Sequence, residues 1–187
     1  MSAGYRREVE LSVVTVTFGR LDILRQKLES LAAQTLAPER FELVLLVNAD
    51  PETLQSVRAL KTLYRLELMH FETRRGAAAA RNAAAARAAG ALLYFSDDDA
   101  VLQPDTLERH LAFHHSRAEF PRASDCVAVG GVDWQHGDRL ERMRPRRVRY
   151  WNLHGVNTSL PKTLFERAGG FPDWLSGYGF EDVLLGY

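Results

Sequence analysis

Cysteine is nearly absent from this chain: Cys126 is the only one in 187 residues. That excludes an internal disulfide framework and a cysteine-based zinc cluster, and it fits a reducing compartment. Net charge is absent too, because 24 basic and 24 acidic residues cancel. Bulk electrostatics therefore gives no attraction to nucleic acid, which is not expected as a partner, and any anion must be bound locally. No apolar run approaches the length of a membrane span, and the N-terminal "MSAGYRREVE" lacks the apolar centre of a secretory signal. A cytoplasmic protein is the expectation. What is present is the profile of one globular domain, 46% hydrophobic and 26% charged, large enough for a substantial core.

Short apolar runs rich in β-branched residues recur along it. Val13 to Phe18 and Leu43 to Val47 are continuously hydrophobic, as strands covered on both faces are, and each gives way to polar or glycine residues. Between them Leu21, Leu24, Leu28 and Leu31 share one helical face over Leu21 to Ala33. A second helix is expected over Pro51 to Leu63, with proline in its first turn, and "RLELMHFE" alternates like a strand. "GAAAARNAAAARAAG" then sits between two glycines suited to helix ends; alanine favours a helix lying close to a sheet, but it does not explain Arg81 and Asn82 in its midst. A strand "ALLYFS", a helix from Pro104 to Arg117 and a strand "CVAVGGV" complete an alternation that argues an α/β three-layer domain with a mixed, mainly parallel central sheet. Ligands of such sheets collect beyond the carboxyl ends of the strands. Thr17 to Arg20, Asn48 to Asp50 and Asp97 to Asp99 all fall at such ends and are expected to face one crevice.

Asp97, Asp98 and Asp99 follow a strand that belongs in a core. Three adjacent carboxylates repel and resist desolvation unless a cation or a proton neutralises them. A solvated turn is the plain alternative. In an extended segment Asp97 and Asp99 point the same way and Asp98 the other; hard oxygen ligands at that density suit Mg²⁺ or Mn²⁺ bridging the protein to a diphosphate.

The order of these motifs resembles the family 2 glycosyltransferases of the GT-A fold: "VVTVTFGR", then "VNAD", then Gly76, the triplet Ala80, Arg81 and Asn82, Gly90, and the acids 97 to 99. The segment "GVNTSLPKTLFERAGGFPDWLSGYGFEDVLLGY" is similar to the acceptor side of galactosyltransferase and chondroitin-polymerase type enzymes, where Gly-Gly-Phe precedes a Glu-Asp pair. The resemblance runs from about Leu11 to Tyr187. It implies a single GT-A domain, with a nucleotide-sugar half over about 9 to 103 and an acceptor half over about 104 to 187. It also implies transfer of a sugar from a nucleoside-diphosphate sugar, with UDP as the expected nucleotide, to a glycan or other hydroxyl acceptor, in the setting of polysaccharide biosynthesis. Asp99 with Asp97 would hold a divalent metal, Mn²⁺ or Mg²⁺. Asn48 and Asp50 would meet the base, with Thr17 and Phe18 beside it, and Arg81 and Asp98 would hold the nucleotide or its ribose. Asp182 would be the general base of an inverting displacement, and Glu181 would contact the acceptor or orient that base. Two positions depart from the pattern: Gly19 stands where the family commonly has asparagine, and "NADPE" where it often has paired acids. Both bear on base recognition.

Other features admit more than one reading. Arg139, Arg142, Arg144, Arg146, Arg147 and Arg149 read as a solvated loop, or as a loop ordering near substrate, near an anionic acceptor or at an anionic membrane surface to which the protein binds peripherally. Trp174 and Tyr178, in the loop "FPDWLSGYG", are candidates to stack on an acceptor sugar, whereas Trp151 is expected in the core. His154 is an internal candidate for a polar role. The closing "GFEDVLLGY" opens a helix with no capping signal behind it, so a truncated acceptor half is expected. A nucleotidyltransferase would also set Mg²⁺-binding acids on an α/β sheet, but "TFGRLD" is a poor phosphate loop; a catalytically silent nucleotide- or glycan-binding module is the non-enzymatic alternative.

Overall fold

The structure, a computed structural model, describes residues 9–119, 122–136, 139–143, 155–174 and 185. Strands β1 (Leu11–Thr17), β2 (Phe41–Asn48), β3 (Arg65–Phe71), β4 (Leu92–Phe95), β5 (Ala128–Val129) and β8 (Thr158–Pro161) form one sheet in the order β3-β2-β1-β4-β8-β5. The pairs among β1 to β4 are parallel, and β8 runs antiparallel to both its neighbours. Strands β6 (Val132–His136) and β7 (Arg139–Met143) pair separately as an antiparallel hairpin.

The two apolar faces of the sheet arise from period-two alternation within continuous hydrophobic runs. Val13, Leu43, Leu45 and Tyr94 face α1 (Leu21–Ala32), α2 (Pro51–Arg58) and α4 (Thr106–Arg117), meeting Leu24, Leu28, Leu31, Val57, Leu107 and Leu111. Val14, Val44, Leu46, Leu93 and Phe95 face α3 (Ala77–Arg87) and α5 (Lys162–Arg167). Every residue of β1 and β2 is buried, and each such leucine or valine contributes about 1.5–3 kcal/mol by leaving water. The alanines of α3 are what let it approach: Ala78, Ala80, Ala84 and Ala85 are buried against the sheet.

Some sequence expectations shift here. The second helix ends at Arg58, five residues early, and the strand expected over 126–132 is only Ala128–Val129. Gly130 and Gly131 then separate it from β6. The arginine-rich segment begins as strand β7 rather than loop, carrying Arg139 and Arg142; Arg144, Arg146, Arg147 and Arg149 lie outside the described residues.

Crossovers proceed from β1 outward to β2 and β3, then return to β4 on the other side of β1. The switch point between β1 and β4 is where open α/β sheets leave a crevice. Asp97 to Asp99 lie there.

Candidate functional site

β1 and β4 lie side by side with Phe95 opposite Val14, so that β1 runs on to Thr17 beside the chain that leaves β4, and Thr15 Oγ1 ties the two by donating to the carbonyl of Ser96 at 3.0 Å. Beyond Ser96 the chain does not stay extended. It turns, with the Ala100 amide donating to the Asp97 carbonyl at 3.3 Å. The segment expected to be extended is therefore a turn, in which Asp98 and Asp99 share one arginine and Asp97 pairs with another. Thr17 Oγ1 donates to Asp98 Oδ2 at 2.7 Å, while Arg20 donates through Nη2 to Asp98 Oδ1 and through Nη1 to Asp99 Oδ2 at 3.1 Å. Arg81 Nη2 donates to Asp97 Oδ1 at 2.7 Å. The Asp98 side chain is only 3% exposed and has both oxygens engaged within the fold, one by Thr17 and one by Arg20. Asp99 is 45% exposed and Asp97 38%.

Beneath the turn lies a lysine that reading the motifs missed. Lys27, fully buried on the inner face of α1, donates to Ser96 Oγ. Burial pushes its pKa down to about 7, against the upward pull of Asp97, Asp98 and Asp99. Removal from water likewise raises the Asp97 pKa, against the pull of Arg81. Three carboxylates therefore meet two guanidiniums and one buried amine. The signal for Lys27 was in the sequence: a lysine between Leu24 and Leu28 sits on the helical face that points inward. Arg20 was quoted as part of a motif, but nothing local shows that it would reach two acids 78 and 79 residues away.

The second strand's polar end behaves differently from expectation. Asn48 is buried and clamps the chain before α3, its Nδ2 donating to the Arg75 carbonyl at 2.8 Å and its Oδ1 accepting from the Arg75 amide at 3.0 Å. Asp50 caps α2, accepting from the Glu52 amide at 3.2 Å and from Thr53 Oγ1 at 2.9 Å. Both residues expected to meet a base are thus engaged within the fold, Asn48 with its amide group paired at both atoms. Asp50 also explains Gly19: a methyl group at that position would collide with the Asp50 carboxylate, and its φ of 98° lies in the left-handed region that glycine tolerates. Phe18 is half-buried, with the Arg74 guanidinium 4.9 Å above its ring. The three strand-end clusters do meet at one edge, the first touching both others.

The "RN" within the alanine helix also finds its reason. One turn of α3 sends Arg81 to the acids and Asn82 to the Gly-Gly-Phe turn, where Asn82 Nδ2 donates to the Phe171 carbonyl at 2.8 Å and its Oδ1 accepts from the Phe171 amide at 2.9 Å. Gly169 and Gly170 have φ of 81° and 75°, and a side chain on Gly170 would run into Asn82 Oδ1. Phe171 packs edge-on to Phe95 with ring centroids 5.0 Å apart. The turn that leads toward the Glu181 and Asp182 segment is thereby pinned to the acid-bearing strand. Glu181, Asp182, Tyr178, Trp151 and His154 lie outside the described residues. Trp174 is described and 74% exposed.

Farther along the same edge, past β8, a cavity of about 560 Å³ lies between α4 and β5. Two residues of its lining, His110 and Asn157, belong to a hydrogen-bonded chain: Asn157 Oδ1 accepts from Tyr94 at 3.0 Å and lies 2.9 Å from His110 Nε2, while Ser159 Oγ lies 2.7 Å from His110 Nδ1. Burial pushes the His110 pKa down to about 4. The neutral ring donates from Nε2 and accepts at Nδ1, which settles the direction of the chain.

A metal fits the acids by donor chemistry. Hard carboxylate oxygens of Asp97 and Asp99 remain partly exposed, and Mg²⁺ or Mn²⁺ is commonly held by one or two carboxylates and completed by substrate phosphates. No group of three histidine, cysteine, aspartate or glutamate side chains forms a metal cage among the described residues, so such an ion would depend on its substrate.

A mixed α/β sheet with a charged turn at its switch point and, among the described residues, one antiparallel strand beyond it is the GT-A class of fold. The chain belongs to the family described as Glycosyl transferase family 2, whose model matches residues 12–181. Validoxylamine A glucosyltransferase of Streptomyces hygroscopicus subsp. limoneus is 31% identical to it, over 95% of this chain and 47% of that protein. The chain spans about half the length of the curated relatives it matches. Among solved structures, residues 1–349 of S. aureus TarS superpose with a TM-score of 0.75 at 24% identity, over 94% of this chain and 53% of that one. The mannosyltransferase PcManGT of Pyrobaculum calidifontis, solved with GDP-Man and Mn²⁺, gives 0.67 at 24% identity, over 93% and 50%. At that identity the structural likeness speaks to fold. No described helix is long and apolar enough to cross a membrane.

Proposed function

We propose that this chain is a metal-dependent, inverting glycosyltransferase that moves a sugar from a nucleoside-diphosphate sugar to an acceptor hydroxyl. Residues 9–103 hold the nucleotide and 104–187 build the acceptor side. The observation that carries this reading is the turn at the switch point, where two partly exposed carboxylates stand beside the guanidiniums of Arg20 and Arg81. Such a set offers ligands for a divalent cation and donors for a diphosphate in one crevice. The donor class draws further support from the TarS structure solved with UDP-GlcNAc and the PcManGT structure solved with GDP-Man and Mn²⁺.

Asp97 and Asp99 would hold Mn²⁺ or Mg²⁺, which when bound supplies positive charge against the leaving diphosphate. Arg81, paired with Asp97 through Nη2, holds that carboxylate in place and adds positive charge to the crevice. Phe18, at the end of β1, offers the base an aromatic surface. The acceptor oxygen bonds to the anomeric carbon as the bond from that carbon to the phosphate oxygen breaks, the configuration inverts, and Asp182 takes the hydroxyl proton. Glu181 orients the acceptor or Asp182, and the exposed Trp174, with Tyr178, offers a stacking surface for its ring.

The test is a panel of UDP-, GDP- and dTDP-sugars, scored for binding and for sugar release with and without Mn²⁺. Release of free sugar from at least one donor, dependent on Mn²⁺, is expected. Asp182→Asn should lower transfer by about 10²- to 10⁴-fold, the usual contribution of a general base, while leaving donor binding within a fewfold. Full transfer in Asp182→Asn removes it as the base. Nucleotide binding with no sugar release from any donor points instead to a silent module.

A further inference from the structure

Arg20 makes two unlike contacts. Its Nη2 meets Asp98, a carboxylate buried to 3% exposure whose other oxygen is held by Thr17 at 2.7 Å. Its Nη1 meets Asp99 at 3.1 Å, where guanidinium and carboxylate are both nearly half exposed, at 47% and 45%. In the first contact the carboxylate is buried and held from both sides. The second is open to solvent, where an ion pair contributes little and is readily exchanged.

Resting on the proposed nucleotide-sugar chemistry, we propose that Arg20 is an exchangeable counter-ion: anchored on Asp98, it releases Asp99 to a divalent cation and turns the freed guanidinium nitrogen onto the donor's diphosphate. Charge supports the exchange. Two guanidiniums already face the three carboxylates, so a divalent cation arriving alone displaces a favourable pair and leaves surplus positive charge. A diphosphate arriving with it offsets that surplus and gives the released Arg20 nitrogen a stronger, charge-assisted partner. Cation and nucleotide therefore strengthen each other's binding, reciprocally as linkage requires, and Arg20 carries part of that coupling. It is a binding and positioning residue, distinct from the proton-accepting Asp182.

The experiment is isothermal titration of wild type, Arg20→Gln and Arg20→Lys with three probes: Mn²⁺ alone, UDP alone, and UDP with saturating Mn²⁺. For Arg20→Gln, Mn²⁺ alone should bind about two- to fivefold more tightly, because Asp99 no longer has a competitor. UDP with Mn²⁺ should bind about tenfold or more weakly, because a charge-assisted contact is lost. Arg20→Lys keeps the charge but cannot span two carboxylates, and should fall between; it also serves if the glutamine variant does not fold. Unchanged or weaker Mn²⁺ binding in the variants, or UDP binding that matches wild type, overturns the exchange while leaving the proposed function standing. Wild type that binds UDP equally with and without Mn²⁺ overturns it without recourse to a variant. Wild type that binds no nucleotide under any condition removes the proposed function and the exchange together.

Discussion

Lys27 places an ammonium group where the helix pattern calls for leucine, fully buried beneath three carboxylates. Its pKa, about 10.5 when the chain is unfolded and about 7 when folded, means the unfolded chain holds more protons between those values. Stability contributed by this position is therefore least below pH 7 and rises through the window from 7 to 10.5. Lys27→Met removes that dependence. Relative to wild type, the melting temperature of the methionine variant should be highest near pH 6–7 and should lose ground steadily toward pH 10. A gap that stays constant across that range would refute the assignment. Sequence shows that Lys27 faces inward, since it shares a helical face with Leu24, Leu28 and Leu31. It does not show which acids lie above it, because those come from the turn after β4, which follows Ser96, itself 69 residues from Lys27.

At the scale of elements, α3 acts as a coupling rod between the two ends of the proposed site. Adjacent residues on it reach the acid turn through Arg81 and the Gly-Gly-Phe turn through Asn82. Asn82→Ala leaves the helix itself favoured but strands the amide and carbonyl of Phe171, a loss of about 1–3 kcal/mol for a buried backbone group left unpaired. The expected result is a lower midpoint in denaturant with an unchanged slope, together with a fall in transfer that exceeds any fall in nucleotide binding. Equal losses in both would argue against α3 as the link. Asp50 and Pro51 show the other side of legibility. An aspartate directly before a proline at a helix start is an N-cap by local rules, and the structure uses Asp50 that way; the motif resemblance had placed it at the base. Asn48 could not have been assigned from sequence, since its partner, the Arg75 backbone, is 27 residues on.

For the molecule as a whole, a net charge of zero conceals a strongly charged crevice. If that crevice takes a cation and a nucleotide together, a ligand at a hundred times its dissociation constant stabilises the fold by about 2.7 kcal/mol. For a chain of this length that is a rise of about 5–10 °C in melting temperature. UDP with Mn²⁺ should produce it and EDTA should abolish it; a UDP-induced shift untouched by EDTA, or unchanged in Asp99→Ala, would dispose of the metal assignment. The alternating strand and helix runs, the covered parallel strands and the acids at a strand's carboxyl end were all determined by sequence, because each depends on residues within a few positions of one another. Tertiary structure alone decided that Asp98 is an anchor, that Arg20 spans two acids, that Asn48 and Asp50 serve the fold and that Asn82 holds a distant turn. Those outcomes depend on which strands become neighbours, and the crossover from β3 back to β4 beside β1 brings Arg20 to the "SDDDA" turn with no mark of that pairing in either segment.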